Sequence, residues 1–195
     1  YSRQLVEEFG NIIAWEKEDK VEPGKPNAAG WILPAHNIHR RYPEVAIFIP
    51  DTVGRACGGL CASCQRMYDF QSGRYNFDLK KLKPKESWNE RLPKLLNYFK
   101  DDSQLRDILI TGGDALMSSD KSLKNILNEV YKMALQKKEE NKSRSQKNKL
   151  AEILRIRIGT RLPVYLPQRI TPALAAILSE FKKKAEKIGI KQFVI

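Results

Sequence analysis

The stretch DILITGGDAL, residues 107–116, decides the fold because it joins a short apolar run to a pair of glycines. An apolar run of this length that is closed by glycines is typical of a strand. The segment that follows, SLKNILNEVYKMALQKK (122–138), has apolar residues at helical spacing. This part of the chain therefore predicts a strand, a glycine-containing loop and a helix, in that order.

The same order occurs on both sides of this stretch. Upstream, VAIFIP (45–50) has the length and β-branched content of a buried strand, and SWNERLPKLLNYFKD (87–101) has apolar residues at helical spacing. Downstream, LAEILRIRIGTR (150–161) ends as a strand at Gly159. Strands that alternate with helices predict an α/β fold, a parallel sheet or barrel with helices outside, whose functional residues follow the strands.

The last part of the chain continues the pattern. In TPALAAILSEFKKKAEKIG (171–189), Thr171 is a suitable N-cap and Pro172 takes the first helical position. KQFVI (191–195) then begins a further strand. We therefore expect about four strands of a parallel sheet or barrel.

The composition is that of a globular domain rather than a membrane protein. Of the 195 residues, 42% are hydrophobic and 30% are charged, and no apolar run approaches the length of a membrane span. The first residues lack a signal-peptide pattern, so we expect a cytoplasmic protein. We expect residues 1–40 to form an N-terminal helical and irregular extension and residues 41–195 to form the main domain.

The net charge of +12 raises the question of nucleic-acid binding. Much of the excess lies in residues 136–150, which we interpret as a charged insertion, and in EFKKKAEK (180–187). Both segments have the composition of solvated surface. Because the chain has neither C2H2 zinc-finger spacing nor an RNA-recognition aromatic signature, the sequence disfavours a nucleic-acid partner.

All three cysteines lie within GRACGGLCASCQRMYDF, residues 54–70, directly after the first predicted parallel strand. Cys57, Cys61 and Cys64 have the spacing C-x3-C-x2-C, and three thiolates on one loop can bind one face of a four-iron cubane and leave the fourth iron open. A structural zinc site of the Cys3His type, completed by His36 or His39, is the alternative. A zinc-stabilised nucleic-acid-binding module therefore stays open at this point.

Four blocks of this sequence together resemble the lysine 2,3-aminomutase family of radical S-adenosylmethionine (SAM) enzymes. The blocks are HRRYPEVAIFIP (39–50), CGGLCASCQR (57–66), DILITGGDALMSSD (107–120) and RIRIGTRLPVYLPQRITPAL (155–174). The resemblance implies a partial (β/α) barrel of the radical SAM type and an isomerase that moves an amino group from the α to the β carbon of a lysine-like amino acid. It also implies three cofactors, namely a [4Fe-4S] cluster, SAM and pyridoxal phosphate.

The resemblance also implies roles for individual residues. Cys57, Cys61 and Cys64 match the cluster ligands. Matches to the segment that binds the amino group of SAM are Gly112, Gly113 and Asp114. Arg66 matches the residue that binds the substrate carboxylate, and the positions expected at pyridoxal phosphate are Arg41, Tyr42 and Arg161. Gln168 and Arg169 are family landmarks to which the resemblance assigns no role.

The implied mechanism starts with reductive cleavage of SAM to a 5′-deoxyadenosyl radical, which takes a hydrogen from the substrate β-carbon. The amino group then migrates as a pyridoxal phosphate aldimine. We expect a reductant such as flavodoxin or ferredoxin and leave a homo-oligomer open. Because the family's aldimine lysine follows further strands, we expect this chain to be the N-terminal and central part of a longer protein. A radical SAM enzyme of another outcome, without pyridoxal phosphate, is an alternative.

Overall fold

The computed structural model describes residues 32–35, 38–50, 87–111 and 113–195. In this part of the chain six strands form one sheet, in the order of the sequence. The strands are β1 Ile32–Ala35, β2 Ile38–Tyr42, β3 Val45–Phe48, β4 Asp107–Ile110, β5 Arg155–Ile158 and β6 Gln192–Val194. β1, β2 and β3 are antiparallel neighbours, whereas β3 to β6 form the four-stranded parallel sheet that the sequence predicts.

Four helices follow or precede the parallel strands in the described residues. They are α1 Trp88–Asp101, α2 Asp120–Ser143, the single turn α3 Leu162–Tyr165 and α4 Pro172–Lys187. Short 3₁₀ turns cover Ala115–Met117, Gln146–Asn148 and Pro167–Arg169. Thr171 caps α4 by accepting a hydrogen bond from the backbone N–H of Leu174, and Pro172 takes the first position, so this predicted helix start is confirmed.

The parallel strands are in register, so their carboxyl ends lie at one edge of the sheet. Phe48 pairs with Ile110, and Ile110 pairs with Ile158. The next residues continue the ladder, because Thr111 donates its backbone N–H to Phe48 (3.0 Å) and Gly159 donates to Ile110 (2.9 Å). The loops after β3, β4 and β5 therefore start at the same level, where functional residues of α/β proteins usually lie.

Helices α1, α2 and α4 cover one face of the sheet. The strand side chains buried beneath them alternate with partly exposed ones, and they are Ala46, Phe48, Ile108, Ile110, Ile156 and Ile158. Phe48 stacks on Trp88 of α1 at 6.0 Å and meets Phe99 edge-on at 5.7 Å. The described strands form an open sheet, and closure into a barrel stays a prediction.

The structure describes the N-terminal part of the chain from β1 onwards. The domain boundary expected after residue 40 falls inside β2, which pairs with β3 and so is continuous with the main sheet. The helix expected near residues 2–10 lies outside the described residues.

No described helix combines the length and apolarity that crossing a membrane requires.

The charged insertion is not wholly solvated surface, so that interpretation is wrong at two positions. Residues 136–143 extend α2, and Lys137 is 1% exposed. Its Nζ donates to the carbonyl oxygens of Phe99 (3.0 Å) and Asp102 (2.7 Å) at the end of α1, which explains how a lysine is tolerated there. Asn141 is also buried, and the cost of burying its amide is offset because the side chain both donates to and accepts from the backbone of Leu150.

Candidate functional site

The loops that follow β4 and β5 touch at the carboxyl edge of the sheet. The Thr111 hydroxyl donates to the carbonyl oxygen of Gly159 (3.3 Å). A Cβ at Gly159 would lie only 2.7 Å from Thr111 Oγ1, so the close approach of the two loops requires glycine at this position. The start of the loop after β4 and the RIGTR segment (157–161), which belong to two of the four blocks that resemble the family, are therefore direct neighbours.

Asp114 joins the two loops through its carboxylate. The residue is 4% exposed. Its Oδ1 accepts hydrogen bonds from the Thr160 hydroxyl (2.7 Å) and the Leu116 N–H (3.0 Å), and its Oδ2 accepts from the Arg161 N–H (2.6 Å). Asp114 thus caps the 3₁₀ turn that follows it and fixes the start of the segment after β5.

Gly113 precedes this buried carboxylate and is exposed. Its φ of 65° is in the left-handed region, which glycine adopts without strain. Each carboxylate oxygen has two lone pairs, and among the described residues Oδ2 of Asp114 accepts a hydrogen bond only from Arg161. The exposed backbone beside a carboxylate with a further acceptor position is suited to a ligand that carries an ammonium group.

Arg169, which lies in the segment after β5, forms a second link between the two segments. Its Nε donates to the carbonyl oxygen of Leu116 (2.9 Å), and its Nη2 donates to that of Ser118 (2.8 Å). Nη2 also forms an ion pair with Asp120 at the start of α2 (2.6 Å). The LPQRITP segment (166–172), to which the resemblance assigns no role, therefore contacts the segment after β4 at residues 116–120.

Sequence reasoning missed the contacts of Thr160 and Arg169. A 3₁₀ turn leaves carbonyl oxygens without a partner inside the turn, and arginine is a suitable donor for two of them. The turn therefore needs donors from elsewhere in the chain, and an arginine can supply them. The sequence gives no signal for which arginine supplies it, because Arg169 lies far along the chain from Leu116.

Arg161 is an exposed cation at the same edge. Its guanidinium carbon lies 5.3 Å from the centre of the Tyr165 ring, in a cation–π contact. Stacking on the ring restricts the orientation of the guanidinium, whose N–H groups can bind a carboxylate or phosphate in two places at once. The arrangement is suited to an anionic group.

Tyr42 is not brought together with Arg161. Tyr42 pairs with Val45, which is level with Asp107 and Arg155 at the amino ends of the parallel strands. Arg161 follows the carboxyl end of β5, so the two residues lie at opposite ends of the sheet. The backbone of Arg41 lies in β2 beside Tyr42, and its side chain is outside the described part of the chain.

Several residues named from the sequence lie outside the described residues, and their roles stay predictions. They are His36, Cys57, Cys61, Cys64, Arg66 and Gly112. The strand position of His39 is described, but its side chain is not. Gln168 is exposed in the 3₁₀ turn that also carries Arg169. The chain leaves β3 at Ile49 and Pro50, at the same edge as the loops after β4 and β5, and the cysteine segment comes next in the sequence.

Comparison with other proteins identifies relatives over most of this chain. The chain is 32% identical over 150 residues to an uncharacterized KamA family protein of Methanocaldococcus jannaschii, which covers 77% of this chain and 20% of that protein. It is 30% identical over 150 residues to the L-lysine 2,3-aminomutase of Methanococcus maripaludis, and this match covers 76% of this chain and 27% of that protein. It is also 30% identical over 166 residues to the glutamate 2,3-aminomutase of Clostridioides difficile, and this match covers 85% of this chain and 32% of that protein.

The chain therefore spans between 20% and 32% of the length of these three curated relatives. No protein-family model matches the chain.

Proposed function

Because this chain belongs to the lysine 2,3-aminomutase family, we propose that the protein is a radical SAM isomerase that moves an amino group from the α to the β carbon of an amino acid. The observation that carries the proposal is the meeting of the GGDAL and RIGTR blocks at one edge, through Asp114. Two relatives named as 2,3-aminomutases, one for lysine and one for glutamate, support an amino-acid substrate.

SAM is proposed to bind at Gly113 and Asp114, and at Gly112 on the resemblance alone. The exposed backbone of Gly113 and the remaining acceptor position on Asp114 fit the amino group of this ligand. Asp114 also holds Thr160 and Arg161 in place, so the same carboxylate orders the segment after β5. When bound, SAM supplies the adenosyl radical that takes a hydrogen from the substrate.

The iron–sulfur cluster is proposed to be held by Cys57, Cys61 and Cys64. Three thiolates fit a four-iron cubane that keeps one iron open. The cysteine segment comes next in the sequence after β3, which ends at the edge of the sheet where SAM is proposed to bind. The cluster supplies the electron that cleaves SAM. A reductant such as flavodoxin or ferredoxin is the proposed electron donor.

Pyridoxal phosphate is proposed to bind near Arg161, whose guanidinium stacked on Tyr165 fits a phosphate. This cofactor holds the amino group of the substrate while it migrates. Arg66 is proposed to bind the substrate carboxylate. Arg41 and Tyr42 are included on the resemblance alone, and the position of Tyr42 at the other end of the strands argues against one phosphate shared with Arg161.

The described residues have two tasks in this reaction. Asp114 and Gly113 orient the amino group of SAM, and Arg161 orients an anionic group beside it. Orientation of this kind lowers the barrier because the reacting atoms are held close together before the reaction starts.

The test is an anaerobic reconstitution of the complete protein with iron and sulfide, followed by SAM, pyridoxal phosphate and either L-lysine or L-glutamate. We expect a brown protein whose reduced electron paramagnetic resonance (EPR) signal changes on addition of SAM, and a β-amino acid product detected by chromatography. The Cys61→Ser variant is the control and should lose the cluster and the product. A protein that takes up zinc and forms no cluster contradicts the proposal. A cluster that responds to SAM without a pyridoxal phosphate spectrum favours a radical enzyme of another outcome.

A further inference from the structure

Among the described residues, Arg169 contacts more groups across the two loops than Asp114 does, although no role had been assigned to it. Its side chain is 18% exposed; it donates hydrogen bonds to the carbonyl oxygens of Leu116 and Ser118 and forms an ion pair with Asp120, all on one segment. Leu116 and Ser118 are themselves buried. Most of the Arg169 side chain is therefore buried against protein groups, which distinguishes it from a fully exposed surface cation.

The contact uses the geometry of the guanidinium. Nε and Nη2 are fixed in one plane, and they meet two carbonyl oxygens that lie two residues apart. The single nitrogen of a lysine can donate to two carbonyl oxygens, as Lys137 does. It lacks the planar fork whose separate nitrogens here contact two carbonyl oxygens and Asp120 at once. The site therefore requires arginine and not simply a positive charge.

Arg169 and Asp114 connect the same two segments in opposite directions. The Asp114 carboxylate reaches from the loop after β4 to Thr160 and the backbone of Arg161. Arg169 reaches back from the segment after β5 to the carbonyl oxygens of Leu116 and Ser118. The 3₁₀ turn Ala115–Met117 is thus held at both ends, and Gly113 directly precedes its N-cap, Asp114.

We propose that Arg169 is a positioning residue for SAM binding: it fixes the turn after Gly113 so that the backbone of this glycine faces the amino group of SAM. This inference rests on the proposed function. Arg169 acts through the turn, because its guanidinium donates to the carbonyl oxygens of Leu116 in the turn and of Ser118 at its end. Its loss should raise the KM for SAM while the rate at saturating SAM changes little, since the reacting groups themselves are intact.

The test compares Arg169→Lys and Arg169→Gln in the complete, reconstituted protein. The matched control is Arg157, an arginine on β5 whose Nε donates to Asp107 at the other end of the strands (2.9 Å). SAM affinity is measured by titration of the EPR change, and the midpoint of thermal unfolding is measured in parallel. We expect Arg169→Lys to weaken SAM binding about tenfold and to change kcat less than about twofold.

Arg157→Lys and Arg157→Gln should lower the unfolding midpoint while SAM affinity stays within about twofold of wild type. Should Arg169→Gln fail to fold, Arg169→Lys keeps the charge and decides the question. Wild-type affinity for SAM in Arg169→Lys overturns this inference alone. A wild-type protein that forms no complex with SAM overturns the proposed function as well, so the two failures are distinguishable.

Discussion

Both ends of the parallel sheet carry buried polar networks, but they differ in what surrounds the charged groups. At the amino end, Arg40 binds the carboxylate of Asp102, and Lys137 binds two carbonyl oxygens at the end of α1. At the carboxyl end, Asp114 and Arg169 hold two loops beside an exposed glycine with positive φ. The first network closes a helix end, whereas the second supports an accessible backbone.

The comparison shows that a perturbed pKa alone does not identify a functional site in this fold. Burial lowers the pKa of Lys137 to about 8, yet this lysine lies at the amino end and completes the hydrogen bonding of α1. A strongly shifted lysine is often taken as catalytic, and structural networks produce the same shift. The distinguishing feature of the carboxyl end is accessible glycine backbone beside a carboxylate.

The largest expected effect comes from breaking the amino-end network with Asp102→Ala. Burial acts to raise the pKa of Asp102, but the hydrogen bonds from Arg40 and from the Gln104 and Leu105 amides outweigh it, and the pKa is lowered. Removing the carboxylate leaves the Arg40 charge buried and unpaired, so we expect a loss of about 3 to 5 kcal/mol in urea unfolding.

This loss should shrink in acid, because a carboxylate with a lowered folded pKa stabilises the fold at neutral pH and stops doing so as the pH falls through that pKa. SAM affinity of the folded variant should equal that of wild type. An Asp102→Ala protein of unchanged stability would show that the ion pair at this end is not a stabilising contact.

Asp114→Asn tests the carboxyl end with a smaller change in structure. Asparagine keeps the shape but has one acceptor oxygen in place of two, so at least one of the contacts to Thr160, Leu116 and Arg161 is lost. We expect a loss of about 2 kcal/mol in urea unfolding and a weakening of SAM binding of about tenfold. The control, Asp107→Asn, should reduce stability only. Equal SAM affinity in the two variants would remove the difference between the two ends.

Gly159→Ala tests the close approach of the loops. The new Cβ would lie 2.7 Å from Thr111 Oγ1 and 3.0 Å from its Cβ, so the two segments must separate. Overpacking of this kind costs about 1 to 3 kcal/mol, measured by urea unfolding. Thr111→Ala in the same chain should recover part of the loss because the nearest atom is removed. A fully stable Gly159→Ala protein would contradict the tight contact.

The smallest effect concerns the pH dependence that Lys137 produces. Because the folded pKa of about 8 is below the ordinary value of 10.5, the unfolded chain binds more protons between these values, and stability should rise with pH. Compared with Lys137→Met, the wild type should gain about 1 kcal/mol between pH 8 and pH 9 in urea unfolding. A constant difference between the two proteins over this range would show that Lys137 does not titrate there.

The sequence predicted the parallel part of the fold because its strands and helices have clear periodicity and caps. The β3 run VAIFIP, the β4 run DILI and the Thr171–Pro172 helix start are all local signals. β1 was missed because it lies within residues 21–37, which are rich in proline and glycine. β2 was missed because its pairing with β1 and β3 is a tertiary property.

The candidate site was predicted in part. The register of the strands explains why the blocks after β4 and β5 meet, and this followed from the strand–loop–helix order. The partners of Asp114 and Arg169 did not, because each hydrogen bond joins residues far apart in the sequence. For the same reason, composition could not predict that Lys137 and Asn141 would be buried within a charged segment.

The most direct test of the central claim is the low-temperature EPR spectrum of the reduced, reconstituted complete protein before and after SAM is added. We predict a four-iron signal that changes on addition of SAM, with a weaker apparent affinity in Asp114→Asn than in Asp107→Asn. A spectrum that is unaffected by SAM would contradict the assignment of the carboxyl edge of the sheet as a SAM site.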